Sequence, residues 1–364
     1  MVKVKTSIEE IEQYRPGETV EETAHRVELD VSEIIKLASN ENVLGPSPAA
    51  VQAIISGVDR VNTYPTVDAI HLRSEILSHL GEGFLIENIV CGNGSDGVIE
   101  ALVHLFIEDG DEAIIPIPTF SFYELVVRMH GGRPVFLTRD SEFGFSSDEI
   151  ISKVTDRTKL IFIASPNNPT GNSIDEQILR DLLESLDAMI ILDEAYIEFS
   201  SKPSLNRLVL EYDNLAVIHT FSKAYGLAGM RVGYGVIPGW LFPYYTRATP
   251  PFAVNTLAEA AAIAALRDEK HLERTRKMVE DGKKLLTAEI PFKVYPGDAN
   301  FVLVDTSPLT SREVTEALKS MGIIVRDCAG FRGMGDSFIR ITIGRREDNR
   351  RVVEALRKIK NRVI

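Results

Sequence analysis

The chain has 364 residues, of which 44% are hydrophobic and 26% are charged, and its 53 acidic and 40 basic side chains give a formal net charge of −13. This composition is that of a globular protein with two or three domains, and it excludes a chain that is mainly disordered. The acidic balance argues against broad contact with nucleic acid or with an anionic membrane surface, because both carry negative charge.

The first 40 residues are predicted to form an arm ahead of the first domain. Ile8, Ile11 and Tyr14 have helical spacing, and the Pro16-Gly17 pair that follows breaks the pattern. A polar stretch then leads to Ser39-Asn40-Glu41-Asn42 and to a turn rich in glycine and proline at residues 45–48.

Between residues 41 and 249, short apolar strands alternate with helices. The predicted strands cover residues 86–91, 113–117, 135–137, 160–164, 189–192 and 215–219, and the predicted helices cover 67–80, 97–106 and 174–186. Strands that are apolar throughout are covered on both faces, so the pattern predicts an α/β fold with a mostly parallel sheet sandwiched by helices. Functional side chains of such sheets gather beyond the carboxyl ends of the strands.

The C-terminal part, residues 250–364, is predicted to be a smaller α/β domain. It begins with one long connecting helix over residues 256–286, which is rich in Ala, Leu, Glu and Arg. Strands are predicted at 301–304, 323–325 and 338–343, and helices at 311–321 and from Glu347 onward.

Two cysteines, Cys91 and Cys328, lie far apart and lack the spacing of a disulfide framework or a zinc site. The seven histidines have no metal-binding pattern either, so no metal is expected. The charged N-terminus has no apolar run, and no stretch approaches the roughly 18 apolar residues of a membrane helix. We therefore expect a cytoplasmic protein without a membrane segment.

One glycine-rich segment is open to two interpretations. Residues 92–97 match G-x-G-x-x-G, follow a predicted strand and open a helix, which is typical of dinucleotide binding. That interpretation needs an acidic residue at the end of the next strand, whereas Asp109, Asp111 and Glu112 precede that strand. A phosphate site at the helix N-terminus, formed by backbone N–H groups and the Ser95 hydroxyl, fits better. A glycine-rich helix start without a ligand is the other alternative.

Polar side chains capable of chemistry follow three consecutive predicted strands. They occupy residues 165–171, 193–196 and 220–223, and Arg231 lies eight residues after Lys223. Each segment alone could be a turn or a helix cap. Their occurrence together, at the ends of strands that share one sheet, indicates an active site.

These segments resemble those of fold-type I aminotransferases that depend on pyridoxal 5′-phosphate (PLP), class II subgroup, and are similar to histidinol-phosphate aminotransferases. The resemblance extends from Asn40 to about Leu356 and rests on residues 165–171, 193–199, 220–231 and 340–344. It implies transamination of L-histidinol phosphate with 2-oxoglutarate, giving imidazole-acetol phosphate and glutamate, in histidine biosynthesis.

Several alternatives stay open at this point. Aromatic and aspartate aminotransferases and threonine-phosphate decarboxylases use the same scaffold. The glycine motif also allows a nicotinamide-dependent oxidoreductase, and a PLP-fold regulator without catalysis is a third class.

The resemblance implies a set of cofactor residues. Lys223 would form the Schiff base and move the substrate proton, and Asp193 would pair with the pyridine nitrogen. Tyr196 and Asn168 would hydrogen-bond the ring oxygen O3′, and Phe120 would stack on the ring. Lys223, Asp193 and Tyr196 form the expected catalytic set. The cofactor phosphate would be held by Gly94, Ser95, Thr220, Ser222 and Arg231, with Asp96 beside them.

The resemblance also implies a shared active site and a set of substrate contacts. Tyr64 would reach the cofactor phosphate of a second copy, so a homodimer is expected. Arg340 would bind the α-carboxylate of an amino-acid substrate, and Arg326 would bind the substrate phosphate or the distal carboxylate of glutamate. Asn168 also belongs to the expected substrate pocket, and Tyr14 would close over it.

Overall fold

The computed structural model describes residues 2, 4–9, 11 and 19–362. The α-helices are α1 (Thr6–Glu9), α2 (Val20–Val27), α3 (Pro48–Gly57), α4 (Ile70–Leu80), α5 (Gly94–Phe106), α6 (Phe122–Met129), α7 (Ser147–Ile151), α8 (Glu176–Ser185), α9 (Phe242–Ala248), α10 (Thr256–Arg267), α11 (Glu269–Glu289), α12 (Ser311–Lys319) and α13 (Arg346–Asn361). The β-strands are β1 (Ile35–Leu37), β2 (Ile89–Asn93), β3 (Glu112–Ile117), β4 (Arg133–Thr138), β5 (Thr158–Ala164), β6 (Met189–Asp193), β7 (Leu215–Thr220), β8 (Val232–Val236), β9 (Lys293–Tyr295), β10 (Phe301–Asp305), β11 (Ile323–Asp327) and β12 (Phe338–Thr342).

The larger sheet has seven strands in the order β2-β8-β7-β6-β5-β3-β4. The pairs formed by β3 to β7 are parallel, and β8 runs antiparallel to both β2 and β7. Within β6, Ile190 and Leu192 belong to one apolar core and Met189 and Ile191 to the core on the opposite face. The continuous apolar runs are thus explained by burial on both faces, and the predicted α/β fold class is confirmed.

Strand β8 was not predicted from the sequence, because Gly233 and Gly235 interrupt its apolar pattern. Both glycines face α5 at very short range. A Cβ at Gly233 would lie 2.4 Å from the Ser95 nitrogen, and one at Gly235 would lie 3.0 Å from Val98 Cγ1. Close approach of the helix, rather than strand propensity, explains the choice of glycine here.

The smaller sheet has five strands in the order β1-β11-β12-β10-β9. Strand β1 pairs parallel with β11, and the other neighbours are antiparallel. Residues 35–37, which the sequence analysis assigned to an arm, therefore lie within the sheet of the C-terminal part. A strand of three residues is too short for its alternation to be recognised in the sequence.

The single helix predicted over residues 256–286 is wrong, since two helices occupy this region. The chain leaves helical geometry at Asp268, with φ −94° and ψ 64°, and the Asp268 side chain accepts a hydrogen bond from His271 N and caps α11. Helix α10 packs against α3 and α4, whereas α11 packs against α13 and β10. The change of packing partners falls at Asp268, later than the expected boundary at residue 250.

None of the helices in the described part of the chain combines the length and the apolar character that crossing a membrane requires.

Candidate active site

A cavity of about 650 Å³ lies where the carboxyl ends of the larger sheet face the smaller sheet. Most of the site residues expected from the sequence line this cavity. They are Ser95, Asp96, Phe120, Asn168, Asp193, Tyr196, Thr220, Ser222, Lys223, Arg231, Arg326 and Arg340. The carboxyl ends of neighbouring parallel strands share one edge of the sheet. Segments that follow these strands therefore meet there although they are far apart in the sequence.

Lys223 follows β7 and points its amine at the wall of the cavity. Its Nζ donates a hydrogen bond to the Ser39 carbonyl oxygen over 3.1 Å and lies 5.9 Å from the centre of the Tyr196 ring. The Tyr196 hydroxyl in turn accepts a hydrogen bond from Asn40 Nδ2 at 2.9 Å. Ser39 and Asn40 were not assigned to the site from the sequence, although the polar stretch that contains them was noted.

Asp193 ends β6 and is buried against a tyrosine that the sequence analysis missed. The Tyr123 hydroxyl donates to Asp193 Oδ2 at 2.6 Å, and the Ala195 N–H donates to Oδ1 at 3.0 Å. Burial raises the pKa of Asp193 to about 6, and these two hydrogen bonds act in the opposite direction. Burial also holds the pKa of Tyr123 well above its usual range, so the hydroxyl keeps its proton and remains the donor. Tyr123 lies one helical turn after Phe120, which was the available hint in the sequence.

The start of α5 and the loops around Arg231 form a cradle suited to a phosphate group. Arg231 Nη2 lies 2.9 Å from Asp96 Oδ2, and a Cβ at Gly94 would lie only 2.7 Å from the same Nη2. The Ser222 hydroxyl is buried and has no hydrogen-bond partner among the residues that the structure describes. Because a buried hydroxyl without a partner is costly, its position beside Arg231 and Ser95 in one cavity fits an anionic ligand.

Two arginines enter the cavity from the smaller sheet. Arg340 is 5% exposed, donates to the Ala38 carbonyl oxygen at 2.7 Å and hydrogen-bonds Asn168 Oδ1. Arg326 is its register partner on the neighbouring strand. The pair places two guanidinium groups on one wall, an arrangement that binds carboxylate or phosphate oxygens.

Among the described site residues expected from the sequence, Tyr64 and Gly94 do not line this cavity. Tyr64 is 83% exposed and stacks on Phe252, with ring centres 4.7 Å apart, on the outer surface of the chain. Tyr14 lies outside the described residues. Gly94 is next to the lining residue Ser95, and its N–H donates a hydrogen bond to the carbonyl oxygen of Arg231, another lining residue, at 2.9 Å.

The cavity carries positive charge although the chain as a whole is acidic. Its described lining has five basic and three acidic side chains, namely Lys36, Lys223, Arg231, Arg326 and Arg340 against Glu21, Asp96 and Asp193. A positive cavity in a chain of net charge −13 concentrates anionic ligands at this site.

Comparison with known proteins gives concordant matches. Residues 32–356 match the family described as aminotransferase class I and II. The chain is 49% identical over 361 residues to the histidinol-phosphate aminotransferase of Methanocella arvoryzae, with 99% of each chain covered. It is similar to the crystal structure of histidinol-phosphate aminotransferase from Clostridium acetobutylicum, with a TM-score of 0.84 and 29% identity over 90% of this chain and 100% of that chain. A further match is the crystal structure of histidinol-phosphate aminotransferase from Sinorhizobium meliloti in complex with pyridoxal-5′-phosphate. It has a TM-score of 0.89 and 24% identity, and the match covers 100% of this chain and 99% of that chain. At this identity the match supports the fold alone.

Proposed function

Because the chain belongs to the family of class I and II aminotransferases, we propose that it transfers the amino group of L-histidinol phosphate to 2-oxoglutarate in histidine biosynthesis. It is an enzyme that depends on PLP. The observation that carries the choice of substrate is the pair Arg326 and Arg340, which line the same cavity as Lys223. One pocket must take a phosphate monoester and a dicarboxylate in turn, and two adjacent guanidinium groups suit both.

The residues at the site fit PLP. The Ser222 hydroxyl that has no described partner, the Ser95 helix start and Arg231 suit its phosphate, and the buried Asp193 carboxylate suits its ring nitrogen. When bound, PLP supplies a ring that accepts the electron pair released as the substrate Cα–H bond breaks.

Side chains of the protein carry out the proton transfer and position the cofactor and the substrate. Lys223 Nζ, hydrogen-bonded to the Ser39 carbonyl, is the amine that takes the proton from the substrate Cα and returns it. Asp193, ionised, would hold the ring nitrogen in its protonated form, and the hydrogen bond from Tyr123 orients that carboxylate. Tyr196 would hydrogen-bond the ring oxygen, and Arg340, which contacts Asn168, would hold the acidic end of the substrate.

The working enzyme is a homodimer with shared active sites. Large apolar side chains are exposed along residues 51–67 and at Phe252, which stacks on Tyr64: Val51, Ile55, Val58, Val61, Tyr64, Val67 and Phe252. An apolar surface of this kind supports contact with a second copy, in which Tyr64 reaches the partner's cofactor phosphate. Both cysteines are free and buried, which suits the reducing cytoplasm, where we place the reaction.

A visible absorption spectrum tests the proposal directly. The purified enzyme with PLP is expected to be yellow, and adding L-histidinol phosphate without any 2-oxo acid should convert the visible band to a near-ultraviolet one. Conversion by phenylalanine or aspartate but not by histidinol phosphate would refute the substrate. Persistent lack of colour after incubation with PLP would refute the reaction.

A pair of lysine variants provides the control for this experiment. Lys223→Ala should show no conversion and lose turnover by about 10²–10⁴-fold, the usual contribution of a general acid–base group. Lys159→Ala, at an exposed position outside the cavity, should behave like the parent enzyme.

A further inference from the structure

A third basic residue lies beside the two arginines in the smaller sheet. In the parallel pairing of β1 with β11, Lys36 is opposite Ile324, and in the antiparallel pairing of β11 with β12, Arg326 is opposite Arg340. Side chains directly opposite each other share a face, and so do residues two apart on one strand. Lys36, Arg326 and Arg340 therefore project from the same face of three adjacent strands.

The opposite face of these strands is the apolar core. Leu37, Val325 and Ile341 alternate with the three basic residues and belong to the core of the smaller sheet. All three basic residues line the active-site cavity. The row of positive charge is thus fixed by strand register and not by the conformation of a loop.

The three members of this row differ in what they already contact. Arg340 is buried and engaged with Asn168 and the Ala38 carbonyl. Lys36 has a side chain that is 32% exposed, and its Nζ lies 3.4 Å from the half-exposed Glu41 carboxylate. Glu21 is a further acid at this end of the cavity, and it is exposed. An exposed ion pair of this kind is weak, so a ligand of higher charge can replace Glu41.

The two amino donors of the reaction differ in charge at their acidic ends. A phosphate monoester carries about −1.5 to −2 charges at pH 7 on one group with three acceptor oxygens, whereas glutamate divides its two negative charges between two separate carboxylates with two oxygens each. Two arginines can pair with the two carboxylates of glutamate, whereas a phosphate concentrates its charge and acceptor oxygens on one group, where a third cation can also bind.

We propose that Lys36 is a specificity-determining residue that binds the phosphate of the substrate together with Arg326 and Arg340, and so favours phosphate monoesters over glutamate. The proposal deepens the proposed function and rests on it for the identity of the phosphate ester. The ion pair with Glu41 competes with the phosphate for the Lys36 ammonium group.

The test measures two half-reactions of the PLP enzyme separately. Lys36→Gln should raise the half-saturating concentration of histidinol phosphate about tenfold, the usual size of one hydrogen bond to a charged group. The half-saturating concentration of glutamate should change less than about twofold, because an exposed charge that does not contact the ligand contributes little to its binding. Lys36→Arg should restore most of the loss, and the affinity for PLP should stay the same in both variants.

Two further variants sharpen the result. Glu41→Gln frees the ammonium group and should lower the half-saturating concentration of histidinol phosphate, and an increase there would contradict the proposal. Lys159→Gln is the matched control at an exposed position outside the cavity and should change neither donor. Equal losses for both donors in Lys36→Gln, or no loss for either, would overturn the role of Lys36.

Inhibition by inorganic phosphate tests the role of Lys36 independently of the proposed function. If the parent enzyme ignores histidinol phosphate and uses another donor, the proposed function fails. Competitive inhibition of that donor by inorganic phosphate then tests Lys36 alone. Inhibition about tenfold weaker in Lys36→Gln supports the site, and unchanged inhibition removes it.

Discussion

At the scale of a single residue, Asp193 must meet two opposing requirements, namely burial and ionisation of its carboxylate. Its proposed role beside the cofactor ring requires burial, and burial raises its pKa to about 6 because the carboxylate loses its hydration. The hydrogen bonds from Tyr123 and Ala195 and the charge of Lys223 favour the ionised form, whereas Asp96 opposes it. Only the ionised carboxylate holds a protonated ring nitrogen, so Tyr123 matters for cofactor binding without touching the substrate.

Removing the Tyr123 hydroxyl should move the pH dependence of cofactor binding. In the parent protein, affinity for PLP should fall as the pH drops through about 6, because Asp193 takes up a proton. In Tyr123→Phe the pKa of Asp193 rises further, by about one unit for one hydrogen bond to a charged group, so the fall begins at higher pH. The dissociation constant of PLP between pH 5 and 8 measures this shift. Tyr244→Phe, at an exposed position, is the control, and identical profiles for the two variants would refute the role of Tyr123.

The phosphate cradle depends on how two secondary-structure elements meet. Helix α5 begins at Gly94 immediately after β2, and Gly94 N donates to the Arg231 carbonyl oxygen at 2.9 Å, just before β8. Arg231 itself has φ +53°, in the left-handed region, which turns its guanidinium toward Asp96. The absence of a side chain at Gly233 lets the backbone of β8 lie against Ser95. The position of the helix start is therefore set by a glycine on another strand.

A methyl group at this junction should displace the helix start. Gly233→Ala is expected to lower the free energy of unfolding by about 1–3 kcal/mol, as overpacking does, and to weaken PLP binding. Gly229→Ala is the matched control, because a Cβ there has nothing within 4 Å. Denaturant unfolding and PLP titration of both variants provide the measurements. Two variants of equal stability and affinity would show that the close packing of β8 on α5 is not required.

At the scale of the whole molecule, one chain holds the cavity but leaves Tyr64 outside it. The Tyr64 ring is 83% exposed and stacks on Phe252, which has φ +63° and is itself exposed. Ile55, Val58 and Val61, which precede Tyr64 in the chain, are also exposed. A second copy that covered this surface would bury the apolar area and bring Tyr64 to another cavity.

A charge placed on this surface should separate the two copies. Val61→Asp is expected to shift the enzyme from dimer to monomer in light scattering after gel filtration, because an unpaired carboxylate cannot be buried cheaply. Tyr64→Phe should stay dimeric and bind PLP less tightly. Leu85→Asp, at a position as exposed as Val61 but away from the 51–67 stretch, should also stay dimeric. A dimer that survives Val61→Asp would place the interface elsewhere.

The sequence by itself determined the fold class, the aminotransferase family and a set of site residues, most of which line one cavity. Continuous apolar strands specify burial on both faces, and polar segments directly after them specify where the chemistry gathers, since both patterns are local. Lys223, Asp193 and Arg231 could be identified in this way before any tertiary contact was known.

Only the tertiary structure decided the contacts between residues that no local pattern connects. Tyr123 and Asp193 are 70 residues apart, and Asn40 meets Tyr196 across 156 residues. Lys36 joins the row of Arg326 and Arg340 because a three-residue strand from the N-terminal part adds to the C-terminal sheet. Strand register and helix packing set these neighbours, and both depend on the whole chain being folded, whereas the period of an apolar pattern does not.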